Sequence, residues 1–349
     1  MLLKDILQSA LNKKASDIHL TVGQRPVFRV NGSLEPQLDF ENISPEKNEL
    51  FTKEMLDSSK LSLLQQNGEL DFAYSIAGLG RFRVNAFYQR GSISLVLRII
   101  NSSILSFEEL NLPTILNEFT KKNSGIVLVT GPTGSGKSTT LAALIDKINN
   151  EHNCHIITLE DPIEYTHKHK KSIVNQREIG SDSRCFAAAL RAALRQDPDV
   201  IMVGEMRDLE TISTALTAAE TGHLVFATLH TSSASQTIDR IIDVFPNHQQ
   251  QQVRIQLADS LQGIVSQQLI PLKNLKGRVA AFEVLVASTA IRNLIREGKT
   301  YQIISSIQTG AKYGMVSMDM ALNNLLQKGL ISQEEFLARN TDKNSYFNK

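Results

Sequence analysis

The run Gly131-Pro132-Thr133-Gly134-Ser135-Gly136-Lys137-Ser138-Thr139-Thr140 meets the pattern G-x-x-x-x-G-K-[ST] over 131–138, and each position has a mechanical reason. Gly131, Gly134 and Gly136 permit positive φ, so successive backbone N–H groups can turn inward as an anion nest. Lys137 offers a mobile point charge to β- and γ-phosphates, and the Ser138 hydroxyl is a ligand for Mg2+. Pro132, Thr133, Ser135 and Thr139 complete the lining. The chemistry implied is the binding of a nucleoside triphosphate by its phosphates.

Such a loop works only between a strand and a helix. Residues 126–129 are a β-branched, apolar run that reads as a buried parallel strand. Leu141, Leu144, Ile145 and Ile148 then recur at helical spacing, so a helix starting at Lys137 puts its positive N-terminal dipole behind the nest. Beyond it, strands and helices alternate, which predicts a doubly wound parallel sheet with ligands at the strand carboxyl ends.

Reactive side chains are therefore expected just past each strand. The strand 154–159 ends at Glu160, Asp161 and Glu164, carboxylates suited to Mg2+, to its water shell or to placing a water; an acidic helix-start loop is the plain alternative. The strand 200–203 is followed by Gly204 and Glu205. This is a Walker-B-like segment with glycine in the usual aspartate position, which leaves Glu205 to orient or deprotonate the attacking water, with Glu164 the other candidate base. His223 and His230 bracket the strand 223–228, and His230 lies at the end where a γ-phosphate could be sensed.

The first 105 residues read differently, as an α+β domain with an antiparallel sheet. Leu3, Ile6, Leu7, Ala10 and Leu11 keep helical spacing, 18–20 is a short strand, and Asn31-Gly32 suits a two-residue hairpin turn. A second hairpin turns at Arg90-Gly91. Pairing Phe82 with Ile99 makes one face apolar throughout, whereas a slip of one residue sets Phe82 against Arg98. The favoured register puts Arg83 directly opposite Arg98. Like charges so placed are destabilising unless an anion lies between them, so the pair is either two solvated arginines or a phosphate clamp. Residues 106–122, with a proline and a composition shift, read as a linker to a second domain over 123–349. In that domain 290–299 is amphipathic, with Ile291 on one face and Arg292 and Arg296 on another, and the polar stretch from Asn340 is expected to fray.

The chain has 349 residues and a net charge of +1, with no basic stripe or aromatic tract for nucleic acid. Cys154 and Cys185 are too few for a disulfide framework or a zinc site and fit a reducing, cytoplasmic setting. There is no charged leader, and no apolar run approaches the ~18 residues of a membrane helix.

Four motifs together resemble the secretion and pilus motor ATPases over nearly the whole chain: GPTGSGKSTT (131–140), ITLEDPIEY (157–165), DPDVIMVGEMRD (197–208) and TGHLVFATLHT (221–231). Ser232-Ser233 departs from the commoner asparagine-containing form after His230. AIRNLIREGK (290–299), with Ala290, Ile291, Arg292 and Arg296, and SDIHL (16–20) resemble the retraction branch.

The resemblance implies an α/β fold, a RecA-like P-loop ATPase core with an amino-terminal α+β PAS-like domain, ATP and Mg2+ as cofactors, and nucleotide contacts from Glu160, Asp161 and His223. It implies a homohexamer in which Arg83 and Arg98 reach a nucleotide, and ATP hydrolysis that drives type IV pilus retraction and twitching motility. The partners implied are an inner-membrane pilus platform protein and, indirectly, the filament, with no nucleic acid and no structural zinc. The place implied is cytoplasmic, peripheral on the inner face of the membrane. An accessory or assembly motor of the same family, for type IV pili or type II secretion, is the near alternative; a non-hydrolysing nucleotide-sensing ring and a nucleic-acid translocase are the distant ones.

Overall fold

The computed structural model describes residues 2–100, 103–273 and 277–340, so the fraying expected after Asn340 lies outside the described residues. The chain divides into two compact units, Met1–Ser102 and Ser103–Lys349.

In the first unit the apolar stripe Leu3, Ile6, Leu7 and Ala10 is buried along α1 (Leu3–Asn12). Strands β1 (Asp17–Leu20), β2 (Val27–Val30) and β3 (Ser33–Pro36) precede α2 (Pro45–Met55) and α3 (Ser58–Asn67). Strands β4 (Glu69–Ile76), β5 (Gly80–Gln89) and β6 (Ser92–Ile100) complete a six-stranded antiparallel sheet in the order β3-β2-β1-β6-β5-β4. Asn31-Gly32 and Arg90-Gly91 both take positive φ, as tight hairpin turns require. The β5–β6 register is the expected one: Phe82 faces Ile99, Val84 faces Leu97, and Arg83 faces Arg98. Phe82, Val84, Ala86, Leu95 and Leu97 are buried in the core with Phe28 and Phe51, which is why a one-residue slip is excluded.

The second unit starts earlier than the sequence indicates. Residues 106–122 were expected to be a linker, yet Phe107, Leu112, Leu116 and Phe119 are buried against Val127, Val129 and Leu144. Their apolar side chains make the segment, with its short helix α4 (Leu116–Thr120), part of this unit's core.

The rest alternates as expected: β7 (Gly125–Thr130), α5 (Lys137–Glu151), β8 (His155–Glu160), β9 (Ile173–Glu178), α6 (Phe186–Ala193), β10 (Val200–Val203), α7 (Leu209–Glu220) and β11 (Leu224–Leu229). Next come α8 (Ala234–Asp243), α9 (Asn247–Ser260), β12 (Leu261–Pro271), β13 (Arg278–Val286) and α10 (Thr289–Arg296). Helices α11 (Ile303–Thr309), α12 (Met318–Gln327) and α13 (Gln333–Arg339) finish the described chain.

The seven strands run β13-β12-β7-β11-β10-β8-β9, parallel except for β13 at the edge. Ile126 and Leu128 face the α6–α10 side, whereas Val127 and Val129 face α4 and α5, so β7 is apolar on both faces. The carboxyl ends of β7, β11, β10 and β8 are neighbours in register: Thr130 lies beside Leu229, Ala227 beside Val203, and Val203 beside Leu159.

Candidate functional site

That alignment gathers the expected groups at one place. A cavity of about 440 Å³ is lined by Thr133, Gly134, Gly136, Lys137, Ser138 and Thr139 of the loop and first turn of α5. Glu160, Asp161 and Glu164 reach it from the end of β8, Glu205 from the end of β10, and His230 from the end of β11. The Lys137 ammonium donates to the carbonyls of Gly131 at 2.8 Å and Pro132 at 3.1 Å. Its burial lowers its pKa, an effect opposed by the negative charge of Glu205 and Glu164.

Glu205 meets two cationic or ionisable partners at the cavity. Its Oε1 accepts from Arg207 Nε and lies 3.1 Å from His230 Nε2. Burial alone would raise this carboxyl, but the hydrogen bonds and charges of Arg207 and His230 outweigh it and hold it below the ordinary range. A carboxylate held so is a weak proton acceptor and a firm hydrogen-bond acceptor, suited to orienting a water. Glu160 differs: it is deeply buried, which raises its pKa, while Thr158 at 2.6 Å and Gln176 at 3.0 Å donate to its Oε1 and oppose the rise.

Gly204 has a steric reason. A Cβ there would stand 3.0 Å from the Leu159 carbonyl oxygen and 3.3 Å from Glu160 Cα, so the neighbouring strand leaves little room for the usual aspartate.

His223 lies away from the cavity. It precedes β11, at the opposite end of the parallel sheet from the phosphate loop, and its Nδ1 lies 3.0 Å from the Ala218 carbonyl. A strand carries its two ends to opposite edges of a sheet, so of these two histidines His230 alone reaches the cavity.

Arg292 and Arg296 are not simply exposed. Arg292 donates to the carbonyls of Ala258 and Asp259 at the end of α9, and Arg296 Nη2 bonds Asp259 Oδ1 at 2.6 Å. Ile291 and Ile295 are buried beneath them, and Ala290 is exposed. Arg83 and Arg98 are brought together on the first unit's sheet, where Arg98 Nε donates to Asp17 Oδ1 at 2.9 Å. The anion that the opposed pair requires is thus supplied for Arg98 by a carboxylate of the same sheet, and their opposition does not by itself require a phosphate.

Sequence reasoning missed several wall residues. Tyr165 meets Thr139 at 2.9 Å, and His167, Phe186, Leu269 and Arg278 also line the cavity. Tyr165 and Arg207 stood inside quoted motifs and were open to notice; His167 and Arg278 carried no spacing signal.

The sequence profile described as Type II/IV secretion system protein matches residues 1–336. The chain belongs to that family. Among relatives of this secretion-system family, it is 48% identical over 330 residues, 95% of each chain, to the "Type IV pilus retractation ATPase PilT" of Pseudomonas aeruginosa. It is 49% identical over 320 residues, 92% of this chain and 85% of the relative, to a "Twitching motility protein" of Neisseria gonorrhoeae. A solved structure of the pilus retraction motor PilT with bound ADP superposes with a TM-score of 0.90 at 50% identity, covering 98% of each chain. The family relationship carries with it the RecA-like core and separate amino-terminal domain, which the two units described above match.

Proposed function

We propose that this chain is an ATP-hydrolysing motor that powers type IV pilus retraction. The observation that carries the reading is the Glu205–His230 contact of 3.1 Å in the same cavity as Lys137. It occurs in a chain 48% identical to a pilus retraction ATPase along 95% of its length.

In this reading the nest over 131–138 and Lys137 hold the triphosphate of ATP, and positioning with electrostatic stabilisation supplies most of the rate. Glu205 orients the attacking water, with Glu164 the alternative base, and His230 and Arg207 keep the Glu205 carboxylate ionised and aimed. Ser138 and Glu160, with Asp161 at the rim, form a sparse oxygen donor set that fits Mg2+, a cation that keeps several waters and is bound largely through substrate phosphates. It would neutralise charge developing on the phosphate oxygens.

The working unit proposed is a homohexamer at the cytoplasmic face of the inner membrane, acting on a platform protein of the pilus machinery and through it on the filament. No described helix is long and apolar enough to cross a membrane, so the membrane would be reached through that partner. Arg83 and Arg98 are proposed to act on the nucleotide of a neighbouring subunit. An accessory-motor reading is favoured by 42% identity over 333 residues to the Pseudomonas aeruginosa "Type IV pilus ATPase PilU".

The test is deletion of the gene in its own host and complementation. Retraction-motor function requires twitching to stop, surface pili to accumulate, and the parent chain but not Lys137→Ala to restore both. Normal twitching after deletion overturns the reading, and loss confined to one retraction condition selects the accessory motor.

A further inference from the structure

Strand β12 lies beside β7 and carries one buried amide, Gln267, against the phosphate loop. The strands pair in parallel up to Ser266 beside Thr130, whose hydroxyls meet at 2.9 Å. At the next residue the loop begins, and Gln267 packs closely against it and bonds the first turn of α5. A Cβ on Gly131 would stand 2.3 Å from the Gln267 carbonyl oxygen, and one on Gly136 would stand 2.8 Å from Gln267 Nε2. Thr140 Oγ1 donates to Gln267 Oε1 at 2.8 Å, with both residues buried.

These contacts bracket the reactive turn. Lys137 and Ser138 lie between Gly136 and Thr140, so one side chain packs against the residue just before them and bonds the residue one turn of α5 later. Gly136 is left-handed, with φ at 90°, and no side chain of its own fixes it. Gln267 is absent from the cavity wall, so it acts on nucleotide only through the loop.

We propose that Gln267 is a positioning residue of the phosphate loop, fixing through Thr140 and Gly136 the direction in which Lys137 and Ser138 meet the nucleotide phosphates. The inference rests on the proposed ATPase reading. A buried amide is costly to keep without partners, and an apolar residue would fill the same space. What the amide adds is directional: its carbonyl ties the α5 hydroxyl while its NH2 end abuts the turn at Gly136. Small misplacements of such groups are expensive in binding and rate.

The test is steady-state ATP hydrolysis by the full chain carrying Gln267→Met, which keeps length and removes the amide, Thr140→Val, and both together. Melting temperature and oligomer content are matched to the parent. Each single variant is expected to raise KM for ATP about tenfold with kcat within about threefold, because the loop is loosened and Glu205 is untouched. The double variant should be no worse than the poorer single, since one contact is removed twice.

A role in packing alone would lower the melting temperature and leave KM of the folded protein unchanged. A KM within about twofold of the parent in a folded single variant, or multiplicative losses in the double, overturns the inference. If Gln267→Met does not fold, Thr140→Val decides by the same KM criterion. Lys137→Ala is run alongside: if it still hydrolyses ATP, the ATPase reading itself fails, whereas its inactivity with an unchanged Gln267→Met removes this inference alone.

Discussion

Asp17 holds Arg98 by a 2.9 Å bond from the guanidinium Nε to the carboxylate Oδ1. The two are neighbours in a row of four charged residues, Arg29, Asp17, Arg98 and Arg83, that stand side by side across β2, β1, β6 and β5. Burial would raise the Asp17 carboxyl, but its bonds to Ser16 and Arg98 and the positive charge beside it keep it below the ordinary range. One carboxylate thus serves Arg98 directly and lies 3.9 Å from Arg29 Nε, while Arg83 makes no ion pair among the described residues.

If Arg83 and Arg98 act in trans on one phosphate, each single alanine variant lowers turnover sharply, by as much as about 10³-fold, and the double costs far less than the product. Asp17→Asn acts through Arg98, so it lowers turnover in the parent and adds nothing in Arg98→Ala. Rates at matched oligomer content decide: strictly multiplicative losses would show that the arginines do not share a charge.

Lys137→Ala is expected to abolish hydrolysis, and Glu205→Gln to leave ATP bound with turnover down about 10²–10⁴-fold. His230→Ala removes one of two partners of Glu205 and should cost less than Glu205→Gln. Single-turnover assays with labelled ATP separate binding from cleavage. Near-parental cleavage by Glu205→Gln moves the base to Glu164.

The phosphate loop was legible because its constraints are local: glycines, lysine and serine act within one turn, and the flanking strand and helix have their own periodicity. The β5–β6 register was legible for a similar reason, since only one pairing keeps Phe82, Val84 and Ala86 on an apolar face. What failed was non-local. The packing of Phe107 and Phe119 against Val127 lies across a fold that spacing does not reveal. The spacing starts the first short strand at Ile18, whereas β1 already includes Asp17. Its pairing with Arg98, far along the chain, needed the order of strands.

Arg292 and Arg296 illustrate the same limit. Amphipathic spacing placed them on a solvent face, but Arg292 is half-buried and caps the carboxyl end of α9. Arg292→Ala is therefore expected to cost about 1–2 kcal/mol, and Arg296→Ala, which loses a more exposed ion pair, under about 1 kcal/mol. Thermal melts check this, and a larger loss from Arg296→Ala would reverse the assignment. If the helix also serves retraction, the Arg296 variant should keep basal ATPase while filament withdrawal fails.

Restoring an aspartate at Gly204 is expected to harm the protein. Its Cβ would press on the backbone of β8 at Leu159 and Glu160, where no flexible side chain can move aside. Gly204→Ala should cost about 1–3 kcal/mol and Gly204→Asp more, with hydrolysis lost because Glu205 is displaced with it. A Gly204→Asp chain with parental melting temperature and turnover would remove the steric account.

His167 makes acid sensitivity predictable. It lies in the cavity wall with its Nδ1 buried and unpartnered, and burial pushes its pKa down to about 4 from the usual 6.5. The unfolded chain therefore binds a proton between pH 6.5 and about 4 that the folded chain refuses. Stability from this residue is fully present above the unfolded pKa, falls as pH drops through the window, and stops falling near the folded value. The slope is about 1.4 kcal/mol per pH unit, so moving from pH 7 to 5 should cost the parent about 2 kcal/mol more than His167→Gln, which does not titrate. Denaturant unfolding of both proteins at the two pH values measures the difference. Equal losses would mean that the imidazole accepts its proton in the folded chain as readily as in the unfolded one.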